Sequence, residues 1–363
     1  MQRSGCAPTL MTREQLSAIC LTREQPLAAA VACIDASGGQ IALVIDEAGK
    51  LLGTITDGDI RRAILRGANL ESTAGDAMNS SPRFATQGTS LGEIARRLKS
   101  EKIAQMPILD GNGVVMDVIF ASKLEGAETE EIRAVIMAGG LGTRLRPITE
   151  TIPKPMIPID GRPILEIIIE RFRNQNIGHI TLCVNHLAHM IIDHFGDGSA
   201  FGVHIDYVHE TKRMGTAGAL SLLNPQPLKP MIVMNGDILT AVNFASLLAF
   251  HHDNNALATM ALNRFQYRLQ YGVVDVQDHH IIGFSEKPML DFFVNAGIYV
   301  VSPEALDLIP TDIYFDMPTL FEEIERSRRV AFPIHEYWLD IGRHDDLDRA
   351  GREYREHFAD YPR

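Results

Sequence analysis

The amino-acid sequence predicts an α/β domain with a mostly parallel sheet, preceded by a smaller α+β domain made of two similar halves. From Ile132 onward, apolar runs rich in β-branched residues alternate with helical patterns, which is typical of parallel sheets covered by helices. Before that point, residues 40–65 and 104–126 repeat one order of elements, which indicates an internal duplication. The length of 363 residues also fits two domains, at roughly 150 residues each.

Each repeat is predicted to contain a short apolar strand, a turn with Asp and Gly, a second apolar strand and a helical tail. A helical stretch precedes each repeat, near residues 26–33 and 90–99. A unit of about 55 residues is too small to bury its apolar face alone, so we expect the two units to pack as one domain. We place this domain at residues 1–125, a polar linker at 126–131 and the α/β domain at 132–363.

The α/β domain is predicted from four strand segments and two helical segments. The segments AVIMA, HITLCVN, VHIDYVHE and MIVMNGD are predicted strands, and PILEIIIERFRNQN and NFASLLAFHHDN are predicted helices. In such folds, ligands bind at the carboxyl ends of the strands. Residues that follow these strands are therefore the first candidates for a binding site.

The composition argues against several classes of protein. With 45% hydrophobic and 22% charged residues, the chain can bury a core, which excludes a disordered or collagen-like protein. The net charge of -12 predicts no nucleic-acid partner and no membrane partner. Because no apolar run approaches a membrane span and the N-terminus lacks a signal-peptide core, we expect a cytoplasmic protein. The four cysteines form no CxxC pair, so we expect neither a disulfide scaffold nor a zinc ribbon.

A glycine-rich loop after the first strand of the α/β domain is the strongest functional signal. Gly139, Gly140 and Gly142 allow a sharp turn that presents backbone N–H groups to an anion. The spacing matches neither the dinucleotide pattern GxGxxG nor the P-loop. Two cations follow, Arg144 and Lys154, and the second stands between two prolines. This combination predicts a phosphate-binding site on an otherwise acidic protein.

This passage resembles the sugar-1-phosphate nucleotidyltransferases, whose signature GGxGTRLxP and following PKP element it matches position for position. The resemblance extends from Ile132 to about Ala350 and implies a Rossmann-like nucleotidyltransferase sheet. It also implies catalytic roles for Arg144, Lys154 and Asp237. The nucleotide-binding residues that it implies are Ala138, Gly139, Gly140, Gly142, Thr143 and Gly215.

Two aspartates are candidate metal ligands. Asp237 ends the apolar strand of VMNGD, and Asp340 follows another apolar patch in YWLDIG. Carboxylate oxygens suit Mg²⁺, although each aspartate alone fits a helix cap or a turn equally well. The resemblance implies that both bind Mg²⁺, because the family's two magnesium-binding aspartates fall on these positions.

A second group of residues is expected on the sugar side. Glu286 offers an acceptor for sugar hydroxyls, Lys287 a cation for a sugar phosphate, and Asn295 both a donor and an acceptor. From the residues alone, the EKP triplet fits an exposed charged turn. The resemblance implies that Gly272, Glu286, Lys287 and Asn295 bind the sugar phosphate.

The two N-terminal repeats resemble a tandem pair of cystathionine-β-synthase (CBS) domains. In that family a Thr or Ser followed three residues later by Asp holds the ribose of a nucleotide, and Thr56 and Asp59 match. The second copy has Phe120 and Lys123 at these places, so at most one ribose clamp is kept. The pair is expected either to bind an adenine or guanine nucleotide or to act as a dimerisation module without a ligand.

The residues and the resemblance together predict an enzyme that joins a nucleoside triphosphate to a hexose 1-phosphate and releases pyrophosphate. The segment MGTAGAL resembles guanylyltransferases, since thymidylyltransferases of the family usually have Gln in place of Gly218. GTP is therefore the expected nucleotide, with mannose 1-phosphate or glucosamine 1-phosphate as the sugar. CBS pairs in front of such a domain resemble the GDP-glucosamine-forming enzymes of legionaminic acid synthesis. The alternatives are a dTDP- or UDP-sugar-forming enzyme and an inactive regulatory relative. We expect a homo-oligomer.

Overall fold

The structure is a computed structural model that describes residues 11–38, 40–101, 103–121 and 132–358. The chain divides into two compact units, Met1–Glu130 and Glu131–Arg363. The linker predicted at 126–131 lies outside the described residues, as does Lys123 of the second repeat.

The N-terminal unit contains two three-stranded sheets of the same design. In each sheet the first two strands are parallel and the last two are antiparallel. The strand pairing therefore confirms the duplication predicted from the sequence. The strands are β1 (Cys20–Leu21), β2 (Ala42–Ile45), β3 (Leu51–Ile55), β4 (Ala85–Thr86), β5 (Gln105–Leu109) and β6 (Val115–Phe120). The helices are α1 (Arg13–Ala18), α2 (Leu27–Ala36), α3 (Asp57–Leu65), α4 (Ala74–Ala77) and α5 (Leu91–Ser100).

Apolar side chains from helices and strands form the core of each half. In the first half, Leu27 of α2 is buried with Val44 of β2 and Ile55 of β3. In the second half, Ile94 of α5 is buried with Met106 of β5. Each half thus uses a helix to cover one face of a small sheet, as expected for an α+β unit.

The C-terminal unit is built around a large sheet with helices on both sides. Its strands are β7 (Arg133–Met137), β8 (Pro158–Ile159), β9 (Arg162–Pro163), β10 (His179–Val184), β11 (His204–His209), β12 (Met231–Asn235), β13 (Ile238–Thr240), β14 (Ala258–Arg268), β15 (Val273–Gln277), β16 (His280–Ser285), β17 (Met289–Val301), β18 (Arg329–Ile334) and β19 (Trp338–Asp340). Its helices are α6 (Ile164–Asn174), α7 (Ala188–Phe195), α8 (Gly215–Gly218), α9 (Phe244–Asp253), α10 (Met317–Glu323) and α11 (His344–Phe358). The four strands and two helices predicted from the sequence are present as β7, β10, β11, β12, α6 and α9.

Seven of these strands form the central sheet, in the order β11-β10-β7-β12-β17-β14-β18. The first four are mutually parallel, and β17 runs antiparallel to β12 and β14. This arrangement confirms the predicted mostly parallel sheet. Because β11, β10, β7 and β12 point the same way, their carboxyl ends meet at one edge, which we call the carboxyl edge.

The central strands are apolar on both faces because both faces are covered. In β7, Ala134 and Ile136 pack into one hydrophobic cluster, whereas Val135 between them packs into another on the opposite face. All three side chains are fully buried. A strand covered on both sides has no polar face, which explains the continuous apolar runs in the sequence.

Strands β14 and β17 extend beyond the covered part of the sheet. They are 11 and 13 residues long, and side chains on their outer halves, such as Phe265 and Phe292, are exposed. Along the chain, β14 and β17 are separated by a two-stranded hairpin of β15 and β16. This hairpin ends just before Glu286. None of the helices in the described part of the chain combines the length and apolarity that a bilayer crossing requires.

Candidate active site

One residue after each of the four parallel strands lies at the carboxyl edge, and three of these four residues are polar. Gly139 follows β7, Asn185 follows β10, Glu210 follows β11 and Asp237 follows β12. Backbone pairing continues past the strands, because the Ala138 N–H donates to the Cys183 carbonyl at 2.8 Å and the Gly236 N–H to the Met137 carbonyl at 2.9 Å. The sheet therefore holds these four chain segments side by side.

The glycine-rich loop needs its glycines for two different reasons. A Cβ on Gly139 would lie 2.7 Å from Oε1 of Glu210 and 3.1 Å from Cβ of Asn185, so a larger residue would have to displace the Glu210 carboxylate. Gly142 has a φ of +59°, a conformation that favours glycine, and a Cβ there would lie 2.7 Å from Thr149 Cγ2. Gly140 is exposed, and a Cβ there would meet no atom within 4 Å. The loop backbone is thus closely packed at Gly139 and Gly142 and exposed to solvent at Gly140.

The loop leads into a short 3-10 turn, Thr143–Leu145, which presents Arg144. Leu145 is fully buried and anchors the turn, whereas Thr143 and Arg144 are exposed. The Arg144 guanidinium lies close to Gly342, since a Cβ on that glycine would be 3.1 Å from Nη1. Because Gly342 is two residues after Asp340, Arg144 stands near this carboxylate.

Lys154 is almost completely buried, with 8% of its surface exposed, and its Nζ forms an ion pair with Oδ2 of Asp237. The flanking Pro153 and Pro155 fix the backbone φ on either side of the lysine. The residue predicted to neutralise phosphate and a residue predicted to bind metal are thus in direct contact.

A two-stranded ribbon brings Asp237 and Asp340 together. Strands β13 and β19 pair so that Ile238 lies opposite Asp340, and the Ile341 N–H donates to the Asp237 carbonyl at 3.0 Å. Within the described part of the chain, the Oδ1 atoms of both aspartates are buried and accept no hydrogen bond. Burial and the charge of Asp237 raise the pKa of Asp340, while Lys154 and Arg144 lower it.

These two carboxylates fit the requirements of a Mg²⁺ site. Mg²⁺ takes oxygen ligands and is usually bound by one or two carboxylates together with water and substrate phosphates. Two buried carboxylate oxygens with unused acceptor capacity, one from Asp237 and one from Asp340, offer this ligand chemistry. The donor set at this place therefore fits Mg²⁺, and the assignment of both residues as its ligands stays a prediction.

The segment Met214–Gly218 is held by a second segment from far along the chain. Gly215 has a φ of +80°, and a Cβ on it would lie 2.6 Å from the Phe315 carbonyl oxygen. The N–H of Thr216 donates to Asp316 Oδ1 at 3.1 Å, and the N–H groups of Ala217 and Gly218 donate to the Phe315 carbonyl at 2.9 and 2.8 Å. The glycines of GTAG therefore serve close backbone packing in addition to any ligand contact.

The residues predicted for the sugar phosphate form two groups. A Cβ on Gly272 would lie 3.0 Å from Glu286 Oε2, so these two residues are neighbours. Lys287 follows with a φ of +46° and is exposed. Asn295 donates to the Tyr299 hydroxyl at 2.7 Å and accepts from the Gly297 N–H at 2.9 Å. Among the described residues, no hydrogen bond or ion pair joins Glu286 or Lys287 to Asp237.

Two polar residues of the carboxyl edge were missed by the sequence analysis. Glu210 is partly buried, accepts from the Met214 N–H at 3.1 Å and places Oε1 beside Gly139. Burial raises its pKa, and the bond from Met214 acts in the opposite direction. Asn185 donates to the Glu210 carbonyl at 2.6 Å. Both residues are the last of their predicted strand segments, as Asp237 is of MIVMNGD, and this position was the available signal.

In the N-terminal unit, Thr56 and Asp59 contact each other. The Thr56 hydroxyl and N–H both donate to Asp59 Oδ2, at 2.7 and 2.9 Å, and Arg62 pairs with Asp59 Oδ1 at 2.7 Å. The pair forms the capping box of helix α3. The two residues expected to hold a ribose therefore also cap the N-terminus of helix α3. In the second copy, Phe120 is buried at the end of β6.

Comparisons with known proteins agree with this division of the chain. The family described as nucleotidyl transferase matches residues 133–357, and the CBS domain family matches residues 9–66 and 74–121. A UTP–glucose-1-phosphate uridylyltransferase of Synechocystis sp. is 35% identical over 243 residues, covering 61% of this chain and 63% of the relative. A mannose-1-phosphate guanyltransferase of Yarrowia lipolytica is 34% identical over 228 residues, covering 60% and 62%. A mannose-1-phosphate guanylyltransferase of Mycobacterium tuberculosis is 32% identical over 235 residues, covering 62% and 65%.

The matched region thus spans less than two thirds of these relatives. Among solved structures, HddC from Yersinia pseudotuberculosis is 26% identical and covers 61% of this chain and 99% of its own, with a TM-score of 0.49. HddC complexed with GMP-PN gives the same identity and coverage, with a TM-score of 0.47. Since the family match extends over more than half of the chain and includes the glycine-rich loop, Lys154, Asp237 and Asp340, the chain belongs to the nucleotidyl transferase family and has tandem CBS domains ahead of that region.

Proposed function

We propose that this chain is a sugar-1-phosphate nucleotidyltransferase that joins GTP to a hexose 1-phosphate and releases pyrophosphate and a GDP-sugar. Mannose 1-phosphate and glucosamine 1-phosphate are the proposed sugar substrates. The observation that supports this function most directly is the cluster of Lys154, Asp237 and Asp340 beside the glycine-rich loop.

The proposed reaction is an in-line displacement at the α-phosphorus of the triphosphate. An oxygen of the sugar phosphate attacks phosphorus, the bond to the bridging oxygen of the β-phosphate breaks, and pyrophosphate leaves. Such a transfer depends on positioning and on charge stabilisation more than on covalent chemistry by the protein. Arg144 and Lys154 supply positive charge, and the backbone of the glycine-rich loop supplies N–H donors to the phosphates.

Asp237 and Asp340 are the proposed ligands of Mg²⁺. When bound, this ion would neutralise negative charge on the reacting phosphates. Lys154 has a positioning role as well, because its ion pair with Asp237 fixes the orientation of that carboxylate. Neither aspartate needs to accept a proton in this scheme.

Glu210 supports guanine as the nucleobase. Its carboxylate is an acceptor only, and the Watson–Crick edge of guanine offers two adjacent donors, N1–H and the exocyclic amino group. Uracil and thymine offer a single N–H between two carbonyl oxygens, which a carboxylate would repel. Two of the relatives named above are guanylyl enzymes and one is a uridylyl enzyme, so a UDP- or dTDP-sugar product is the alternative.

On the sugar side, Glu286 is proposed to accept hydrogen bonds from sugar hydroxyls and Lys287 to bind the 1-phosphate. Gly272 leaves the approach to Glu286 open, since any larger residue would crowd that carboxylate. An inactive regulatory relative is the other alternative. Such a relative could replace the buried lysine and the two adjacent carboxylates by apolar residues, because burying charged groups costs desolvation free energy and apolar replacements are often neutral or stabilising.

The test is a matrix of nucleoside triphosphates against hexose 1-phosphates, with pyrophosphate release measured in the presence of Mg²⁺. The highest kcat/KM is expected for GTP with mannose 1-phosphate or glucosamine 1-phosphate. A preference for UTP or dTTP would refute the proposed base while keeping the reaction class. No pyrophosphate release with any pair would refute the enzyme and favour the regulatory role.

A further inference from the structure

A cluster of two histidines and one aspartate lies at the edge of the sheet opposite the candidate active site. His179 is the first residue of β10 and His204 the first residue of β11. These two strands are parallel and paired in register, so that His179 lies directly opposite His204. Parallel neighbours that begin together place both imidazoles at the amino edge of the sheet, away from Gly139 and Asp237.

Asp206 completes the cluster. It lies two residues after His204 on β11, and since side chains alternate along a strand, the two residues are on the same face. Its Oδ2 is 2.7 Å from His179 Nε2, and its Oδ1 is 3.3 Å from His204 Nε2. The two imidazole rings are 5.3 Å apart between centroids. The donor atoms of the three side chains all lie within 4.8 Å of one another.

The aspartate is ionised under ordinary conditions. The hydrogen bond from His179 lowers its pKa most, and the charges of His179, His204 and Arg133 lower it further. Because a carboxylate only accepts, the ring hydrogen of His179 is on Nε2 and points towards Asp206. Nε2 of each ring thus faces one oxygen of the same carboxylate.

A neighbouring arginine has to be considered, because it opposes binding of a cation. Nη2 of Arg133 lies 3.5 Å from Asp206 Oδ2. However, the same guanidinium donates to Thr181 Oγ1 at 2.8 Å and to the Pro225 carbonyl at 3.0 Å. Arg133 is thus held mainly by these two partners, and Asp206 Oδ1 is directed towards His204 instead.

From this geometry we propose that His179, His204 and Asp206 bind one divalent transition-metal ion, with Zn²⁺ as the expected occupant. Two imidazole nitrogens and one carboxylate oxygen suit Zn²⁺, which is usually four-coordinate, with water as the remaining ligand. Mg²⁺ is not expected here, because it prefers oxygen ligands. The metal would replace the ring hydrogen of His179 that now faces Asp206, and each neutral ring would keep its hydrogen on Nδ1.

Binding would stabilise the end of the sheet. Strand β11 is at the edge of the seven-stranded sheet and pairs with β10 alone within that sheet. An ion held by the first residues of both strands would fasten the edge strand to its neighbour. Since this metal binds the folded state through three residues that folding brings together, it should raise the melting temperature.

The test uses the untagged full-length chain and measures Zn²⁺ binding by calorimetry, with millimolar Mg²⁺ present to occupy the carboxylates at Asp237 and Asp340. We expect one Zn²⁺ per chain at about pH 7.5. His204→Gln should weaken binding roughly tenfold or more, since even outer contacts to a metal ligand are worth that much. Its side chain is 63% exposed, so the substitution leaves the core intact.

His252→Gln is the matched control, because His252 is an exposed histidine 3.6 Å from a single carboxylate, that of Asp253. It should leave Zn²⁺ binding unchanged. As a second measurement, Zn²⁺ should raise the melting temperature of the wild type and of His252→Gln but not that of His204→Gln. Equal binding by all three proteins would overturn the proposal. Co²⁺ substitution that gives a thiolate charge-transfer band would overturn it as well, by placing the ion at a cysteine.

Discussion

The ammonium group of Lys154 is paired with the carboxylate of Asp237, although 83 positions separate the two residues in the chain. Both side chains are largely buried, at 10% and 22% exposure. A buried ion pair of this kind contributes little net stability, but loss of one partner leaves the other charge buried without its partner. The two residues therefore depend on each other for stability as well as for the proposed chemistry.

Substitution of the two aspartates should separate catalysis from stability. Asp237→Asn and Asp340→Asn are each expected to abolish most Mg²⁺-dependent turnover, because each removes a carboxylate proposed to hold the ion. Their effects on folding should differ. Asp237→Asn leaves Lys154 unpaired and should lower the free energy of unfolding by about 3 kcal/mol. Asp340→Asn removes a carboxylate whose pKa is raised by burial and by Asp237, and should leave stability unchanged or higher.

The measurements are pyrophosphate release at saturating Mg²⁺ and urea unfolding of each variant. Asp253→Asn, at an aspartate with a 67% exposed side chain, is the control and should change neither quantity. Near-normal turnover by either active-site variant would show that the metal assignment is wrong.

Lys287→Ala should weaken use of the sugar phosphate more than use of the nucleotide. The exposed cation proposed for the 1-phosphate is lost, while the glycine-rich loop is unchanged. We expect KM for the sugar phosphate to rise about tenfold and KM for GTP to stay within about twofold, as measured by steady-state kinetics with each substrate varied in turn. Lys99→Ala, at an exposed lysine of the N-terminal unit, provides the comparison. Equal increases in both KM values would remove Lys287 from the sugar site.

Glu210→Gln should change the nucleobase preference. The amide keeps one acceptor and gains a donor, so it matches the edge of uracil or thymine better than that of guanine. Loss of a charge-assisted contact of about 1.5–3 kcal/mol should lower kcat/KM for GTP roughly ten- to hundredfold, while values for UTP and dTTP stay level or rise. The measurement is kcat/KM with each triphosphate at a fixed sugar phosphate, with the exposed Glu47→Gln as control. Unchanged selectivity would mean that Glu210 does not contact the base.

His251 should make the folded chain sensitive to acid. Its ring is buried between Thr259 Oγ1 at 2.8 Å and Ser302 Oγ at 2.9 Å, and burial lowers its pKa to about 4 from the ordinary value of 6.5. Below about pH 6.5 the histidine binds a proton in the unfolded chain, whereas in the folded chain it stays neutral until the pH is near 4. The stability that the neutral ring contributes is therefore complete above that pH and falls until about pH 4, by about 3 kcal/mol at most.

The check is the free energy of unfolding of wild type and His251→Gln between about pH 7.5 and pH 4.5. The variant should be less stable at the upper end but should lose less stability on acidification, because glutamine does not titrate. His280→Gln, at an exposed histidine of β16 that does not act on the pKa of His251, should follow the wild type. Parallel curves for wild type and His251→Gln would contradict the assignment.

Local patterns in the sequence determined the segments of the active site and the class of the fold. The glycine-rich loop, the lysine between two prolines and the aspartate after an apolar strand each occupy a few consecutive residues, and their chemistry is visible without knowing what lies nearby. The same is true of β7, whose unbroken apolar run predicts a strand covered on both faces. The two N-terminal repeats were also recognisable, because each contains its complete pattern within a short stretch.

Only the tertiary structure decided which of these segments meet. The contact of Lys154 with Asp237, the approach of Asp340 through the pairing of β13 with β19, and the place of Glu210 beside Gly139 all depend on strand order and register. The same holds for His179, His204 and Asp206, whose spacing along the chain gives no sign of a common site. Strand order and register are set by the packing of distant apolar surfaces against each other, and no local pattern of residues encodes that packing.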